Sequence, residues 1–259
     1  RDNTTGGTNT ASGGYALRSN TTGGHNTAYG YTALHANTTG DNNVAIGACA
    51  LDSNTTANNN VAVGNSALLA NTTGTRNVAV GGRCTLFTNT TGDDNIAIGY
   101  DSLKLNQTGD ANTAVGKDTL LNNTASDNAA VGYRALLNNT SGTYNTALGF
   151  ESLKENQTTN SNTAIGYNTL RVNVASNNTA VGTSALDVNT SGTTNVAVGV
   201  SALGANTTAD GNTAIGKSSL AANTTGASNT ALGSDSLLAN TTAGENTAVG
   251  FRSLCKTTT

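Results

Sequence analysis

The chain has 259 residues, 12 of them basic and 15 acidic, for a net charge of −3, with 3 cysteines and no proline, methionine or tryptophan. Charge this sparse argues against a nucleic-acid partner or an anionic membrane surface, and no apolar run approaches membrane-spanning length. Asn, Thr, Gly and Ala dominate, a composition that taken alone would permit disorder.

A fixed repeat stands against disorder. The stretch Asn43-Val-Ala-Ile-Gly47 recurs as Asn60-Val-Ala-Val-Gly64, Asn112-Thr-Ala-Val-Gly116 and onward to Asn246-Thr-Ala-Val-Gly250. Repeats open at Asn9, Asn26, Asn43, Asn60, Asn77, Asn95, Asn112, Asn128, Asn145, Asn162, Asn178, Asn195, Asn212, Asn229 and Asn246, fifteen in all, spaced 17 residues apart with three exceptions. The repeat at Asn77 has 18 residues, the extra one near Gly82-Arg83. Those at Asn112 and Asn162 have 16 and carry the shorter turns Asn123-Thr-Ala-Ser and Asn173-Val-Ala-Ser. Length changes are therefore expected in turns. The period makes residues 1–259 one array without an internal linker. Arg1 enters in mid-repeat and no signal peptide is visible, which reads as a piece of a longer fibrous protein or a filament subunit.

Numbered from its first asparagine, each repeat has Asn at position 1, Ala at 3, Gly at 5 and Leu at 9. Positions 2 and 4 hold mostly Thr, Val and Ile, and position 8 only Ala, Ser or Thr. A unit this short has no room for a helix pair, and its β-branched residues read as a strand bounded by Asn and Gly. One unit cannot bury its own apolar face, whereas stacked units can. The expected fold is all-β, a parallel β-roll or β-solenoid of about fifteen 17-residue coils. At a coil spacing of about 4.8 Å it would form a rod roughly 70 Å long.

Period-2 geometry places positions 2 and 4 on one face and position 3 on the other. The expected core ladder joins Leu34, Leu51, Leu68, Leu120, Leu136, Leu170, Leu186 and Leu220 to Ile46, Val63, Val80, Ile98, Val115 and Ile165. That assignment leaves Ala45, Ala62, Ala79, Ala114, Ala164 and Ala214 on the opposite face. They would serve either as a close-packed interface with another chain or, if the coil is thin, as part of its interior. Asn43, Asn60 and Asn77 at position 1, with Asn37, Asn54 and Asn71 at position 12, suit corners and could bond up and down the stack as ladders.

Other features yield no chemical site. Asn-x-Thr/Ser sequons recur once per coil, but glycans about 5 Å apart would collide, which favours the ladder. Threonines at positions 2, 13 and 14 raise the reading of an ice-binding solenoid with Thr ladders. Tyr31, Tyr100, Tyr133, Phe150, Tyr167 and Phe251 follow the column glycine as a partial aromatic stripe, read as edge packing. Asp41, Asp93, Asp94, Asp110 and Asp210 read as solvated turn residues. Cys49 and Cys84 share a column two coils apart, beyond disulfide reach, with Cys255 far from both. No nucleophile–base pair, metal-ligand spacing or phosphate loop occurs, so neither an enzyme nor a cofactor is expected.

The Asn-x-Ala-Ile/Val-Gly core resembles the head repeats of trimeric autotransporter adhesins. The longer Asn-Thr-Ala-Ile-Gly-x-x-x-Leu-x-x-Asn-Thr-Thr-Gly is similar to repeats of bacterial surface and phage tail-fibre-like proteins. The resemblance implies a left-handed roll, trimeric through apolar sheets. It further implies an extracellular or cell- or virion-surface location, with the protein itself (as homotrimer or head-to-tail filament) and surface glycans or proteins as partners. The 17-residue period departs from the shorter adhesin repeat. The expected function is a structural, adhesive fibre; the alternative is ice binding.

Overall fold

Each Asn-(Thr/Val)-Ala-(Val/Ile)-Gly stretch becomes a short strand because β-branched residues flank the alanine and glycine ends the run. The computed structural model describes residues 3–258. It falls into two compact units, divided after Asn128. In the first, β1 (Thr10–Ser12), β2 (Thr27–Tyr29), β3 (Val44–Ile46), β4 (Val61–Asn65), β5 (Val78–Arg83), β6 (Ile96–Ile98) and β7 (Thr113–Val115) stack in parallel and in chain order. In the second, β8 (Ala129–Val131), β9 (Thr146–Leu148), β10 (Thr163–Ile165), β11 (Thr179–Val181), β12 (Val196–Val198), β13 (Thr213–Ile215), β14 (Thr230–Leu232) and β15 (Thr247–Val249) do the same. The fold is an all-β solenoid, as the repeat predicts. Register follows the columns: Val44 pairs Val61, Ala45 pairs Ala62 and Ile46 pairs Val63.

The leucine column forms the core, with Leu34, Leu51, Leu68, Leu120, Leu136, Leu170, Leu186 and Leu220 each 0% exposed. The remainder of the predicted core is corrected. Ile46, Val63, Val80, Ile98, Val115 and Ile165 point outward, half-buried or exposed, with Ile46 at 39% and Ile98 at 40%. Ala45, Ala62, Ala79, Ala114, Ala164 and Ala214 are 0% exposed and face the leucines, which removes them as an interface. The reason is space. Leucine spans the interior of a 17-residue coil, and the facing wall then has room only for methyl groups. Position 8 obeys the same limit, and its buried hydroxyls bond to main-chain carbonyls, as Thr85 Oγ1 does to Gly99 at 2.7 Å and Ser102 Oγ to Ala114 at 3.0 Å.

Tight corners require unusual backbone. In almost every coil the residues at positions 7, 9 and 17 have φ near +50° to +60°, including Leu120 at 50° and Thr194 at 56°. Left-handed geometry costs a non-glycine residue about 1–2 kcal/mol. For the leucines, complete burial worth about 1.5–3 kcal/mol offsets that cost. Position 17 is exposed and has no such compensation. Gly211, at φ 66°, shows that glycine fits there. Thr194→Gly is accordingly expected to raise stability by up to about 1 kcal/mol, measured by urea denaturation, the strain released slightly exceeding the added chain entropy.

The one inserted residue lies at a strand end, not in a turn. β5 carries it as a bulge, so that Asn65 pairs with Arg83 after a shift in register. The two shortened turns keep their chemistry: the Ala125 and Ala175 carbonyls still accept the amides of Asn123 and Asn173 at 2.7 and 2.6 Å.

Candidate functional site

Three stacked polar ladders tie successive coils together, and they determine which surface is left for function. At position 12 the Asn54 amide donates to Asn37 Oδ1 at 2.8 Å and to the Ala57 carbonyl at 3.1 Å. Asn71 repeats the pattern on Asn54 and Gly74, and Asn37 on Asn20 and Gly40. The position 1 asparagines work differently. Asn43 Oδ1 accepts the backbone N–H of Asn60 at 3.0 Å, while Asn43 Nδ2 donates to the Ala57 carbonyl at 2.8 Å. Asn60 and Asn77 do likewise. In these coils both asparagines therefore converge on the carbonyl of position 15. All six are 0% exposed, so the sequons at Asn37, Asn54 and Asn71 have no free amide for a glycan in the folded coil.

The third ladder was not legible as such in the sequence. Asp41 Oδ1 accepts the Gly24 N–H at 2.6 Å, Asp93 that of Thr75 at 2.7 Å, Asp110 that of Asp93 at 2.8 Å and Asp210 that of Thr193 at 2.6 Å. These are caps on the neighbouring coil's backbone rather than solvated turn residues. The signal was their common position 16, which Asn58, Ser126 and Asn160 share. Asp94 instead pairs with Arg76 at 2.6 Å, and this hydrogen bond holds its carboxyl below the usual range. The pair is about half exposed and worth little to stability.

Threonine at position 13 is also occupied. Thr38 Oγ1 donates to the Thr55 carbonyl at 3.0 Å and Thr190 Oγ1 to that of Thr207 at 2.9 Å. Those hydroxyls cannot form an ice-facing ladder.

What remains is the outward face of the strands. Its two columns hold Thr, Val, Ile and Leu, with Ser12, Tyr29 and Ala129 as variants, and no charged residue. Position 6 borders them, and there Tyr133, Phe150 and Tyr167 stack at 5.3 and 5.2 Å, ring on ring. The stripe is thus a real stack along the second unit. Elsewhere Lys117 sits over Tyr100 at 5.7 Å. Ion pairs such as Lys104–Asp101 and Lys154–Glu151 keep to other columns.

Among the described residues the outward face presents no cluster of residues able to hold a metal. A cavity of about 250 Å³ lined by Asn3, Asn9, Ala11, Ala16 and Leu17 is the open interior of the first described coil. Among the described residues no group of three His, Cys, Asp or Glu side chains is arranged to hold a metal. Cys49, Cys84 and Cys255 are free thiols, with Thr32 Oγ1 3.4 Å from Cys49 Sγ. No helix among the described residues is long and apolar enough to cross a membrane.

No family model, curated protein or solved structure matches the chain.

Proposed function

We propose that this chain is a non-enzymatic structural protein, a self-associating β-solenoid that forms the shaft or head of an extracellular surface fibre. The observation that carries the reading is the outward strand face of each unit, uncharged and built of Thr, Val, Ile and Leu with few exceptions. Contiguous apolar patches beyond a few hundred Å² mark interaction sites. Each three-residue strand offers about 50 Å², so the seven strands of the first unit offer about 350 Å² and the eight of the second about 400 Å², the size at which an exposed patch marks an interaction site. A second copy is the natural cover, because it brings a face of the same chemistry and spacing. A homotrimer satisfies this, whereas a head-to-tail filament would cover the coil ends instead; surface adhesion would then use the remaining columns.

Light scattering on the purified chain, with negative-stain microscopy, tests the proposal; a monodisperse monomer at high concentration overturns it. The double variant Val61→Lys/Val78→Lys is expected to weaken association at least about 100-fold, since it buries unpaired charge. Its coil should keep the parent unfolding free energy to within about 1 kcal/mol, because both positions face outward.

Ice binding remains the second reading because of one observation. Threonine at position 2 does face outward, in runs such as Thr146, Thr163 and Thr179 beside Leu148, Ile165 and Val181. Thermal hysteresis in a monomeric preparation would favour it.

A further inference from the structure

The outward face is not uniform. Position 2 is threonine in most strands, but β3 to β6 carry Val44, Val61, Val78 and Ile96 there, each beside a valine or isoleucine at position 4. Thr27 and Thr113 bound this block on either side. In the second unit no two successive strands are aliphatic at both positions: β9 to β11 and β13 to β15 all begin with threonine, which leaves β8 and β12 as single aliphatic strands.

Repetition creates a problem for any face-to-face assembly. Two copies could slide by one coil, about 4.8 Å, and recover almost every contact, and register is weakly specified in such strands. Only departures from the repeat can distinguish one register from the next. We propose that the aliphatic block of β3 to β6 sets the register in which a second copy docks, block against block and parallel. This rests on the self-association reading above.

The occupant follows from the chemistry. The block offers no charge or hydrogen-bond donor to a partner of different character, whereas another copy presents the same branched side chains at the same spacing. Sliding by one coil places the hydroxyl of Thr27 or Thr113 against valine or isoleucine without a polar partner, and uncovers an aliphatic pair at the other end. Each further step repeats the loss. The bulge of β5 lies at the same levels, with Arg83 opposite Asn65, and gives the rim of the block a shape that its neighbours lack.

The test uses the full chain with Cys49→Ser, Cys84→Ser and Cys255→Ser, and a single probe, Thr113→Cys, beside the block. Oxidative cross-linking reads register and light scattering reads association. The parent is expected to associate and to cross-link between equivalent positions. Adding Val44→Thr, Val61→Thr, Val78→Thr and Ile96→Thr introduces only the residue that most coils already carry, so the fold is expected to persist, checked by circular dichroism. With the fold intact, that variant should cross-link several-fold less, through slippage or dissociation. Undiminished cross-linking in the variant overturns the proposal. A parent that associates without cross-linking at this probe overturns the register and spares self-association, while a monomeric parent overturns both.

Discussion

Gly199→Ala is expected to destabilise the second unit by more than about 4 kcal/mol, a loss confined to mutations that force backbone apart or bury unsatisfied groups. A methyl group at Gly199 would stand 2.5 Å from the Gly216 carbonyl oxygen, 2.6 Å from its carbon and 3.0 Å from the Lys217 nitrogen. All three are main-chain atoms of the next coil, fixed by the Gly216 N–H to Val198 bond at 2.7 Å, so no side-chain rotation relieves the contact. The φ of 135° adds strain of its own. Because coils interact with nearest neighbours, hydrogen exchange should show the loss of protection centred on β12 and β13. Gly82→Ala is the control. A methyl there meets nothing within 4 Å, and the change should move the urea midpoint little.

Asn54→Ala is expected to cost at least about 3 kcal/mol in the same denaturation experiment, from one orphaned acceptor, one orphaned amide hydrogen and a small cavity. Asn37 Oδ1 loses its donor from the next coil. The Ala57 carbonyl keeps the Asn43 amide, whereas the Asn71 amide keeps only Gly74 and one of its buried hydrogens loses its acceptor. The ladder makes a sharper statement about pairs. Asn54→Ala with Asn71→Ala should cost clearly less than the sum of the two, since the second change removes a group that the first had already deprived. Asn54→Ala with Asn106→Ala, separated by Asn71 and Asn89 along the ladder, should add. Strict additivity in both pairs would mean that the amides do not act as a chain.

The period, the strand and the leucine core were legible because they depend only on which positions admit which residues. The orientation of the strand was also present in the sequence, in a relation that hydropathy conceals. Positions 1 and 3 have the same parity. An asparagine able to bond its neighbouring coils from a corner must turn inward, and Ala45 must then share its side with Asn43. Variability pointed the same way: position 4 accepts Ser12, Tyr29, Ile46 and Leu232, a range that no packed interior tolerates. Weighing Val and Ile as core residues for their hydrophobicity reversed the face. The caps at position 16 were hidden for a different reason. Asp, Asn and Ser can each accept one backbone N–H, so the column shares a function without sharing a residue.

The position 12 ladder has one direction. Asn20, Asn37, Asn54, Asn71, Asn89 and Asn106 each donate toward the preceding coil, and in the second unit Asn206, Asn223 and Asn240 do the same. Aligned amides polarise one another, each bond strengthening the next. In the second unit Asn240 carries an Oδ1 that is buried with no donor, the electron-rich terminus of such a series. The asparagine column is thus a wire of parallel dipoles laid along one corner of each unit, in a chain whose 12 basic and 15 acidic side chains nearly cancel, and it gives each unit an electrical north and south.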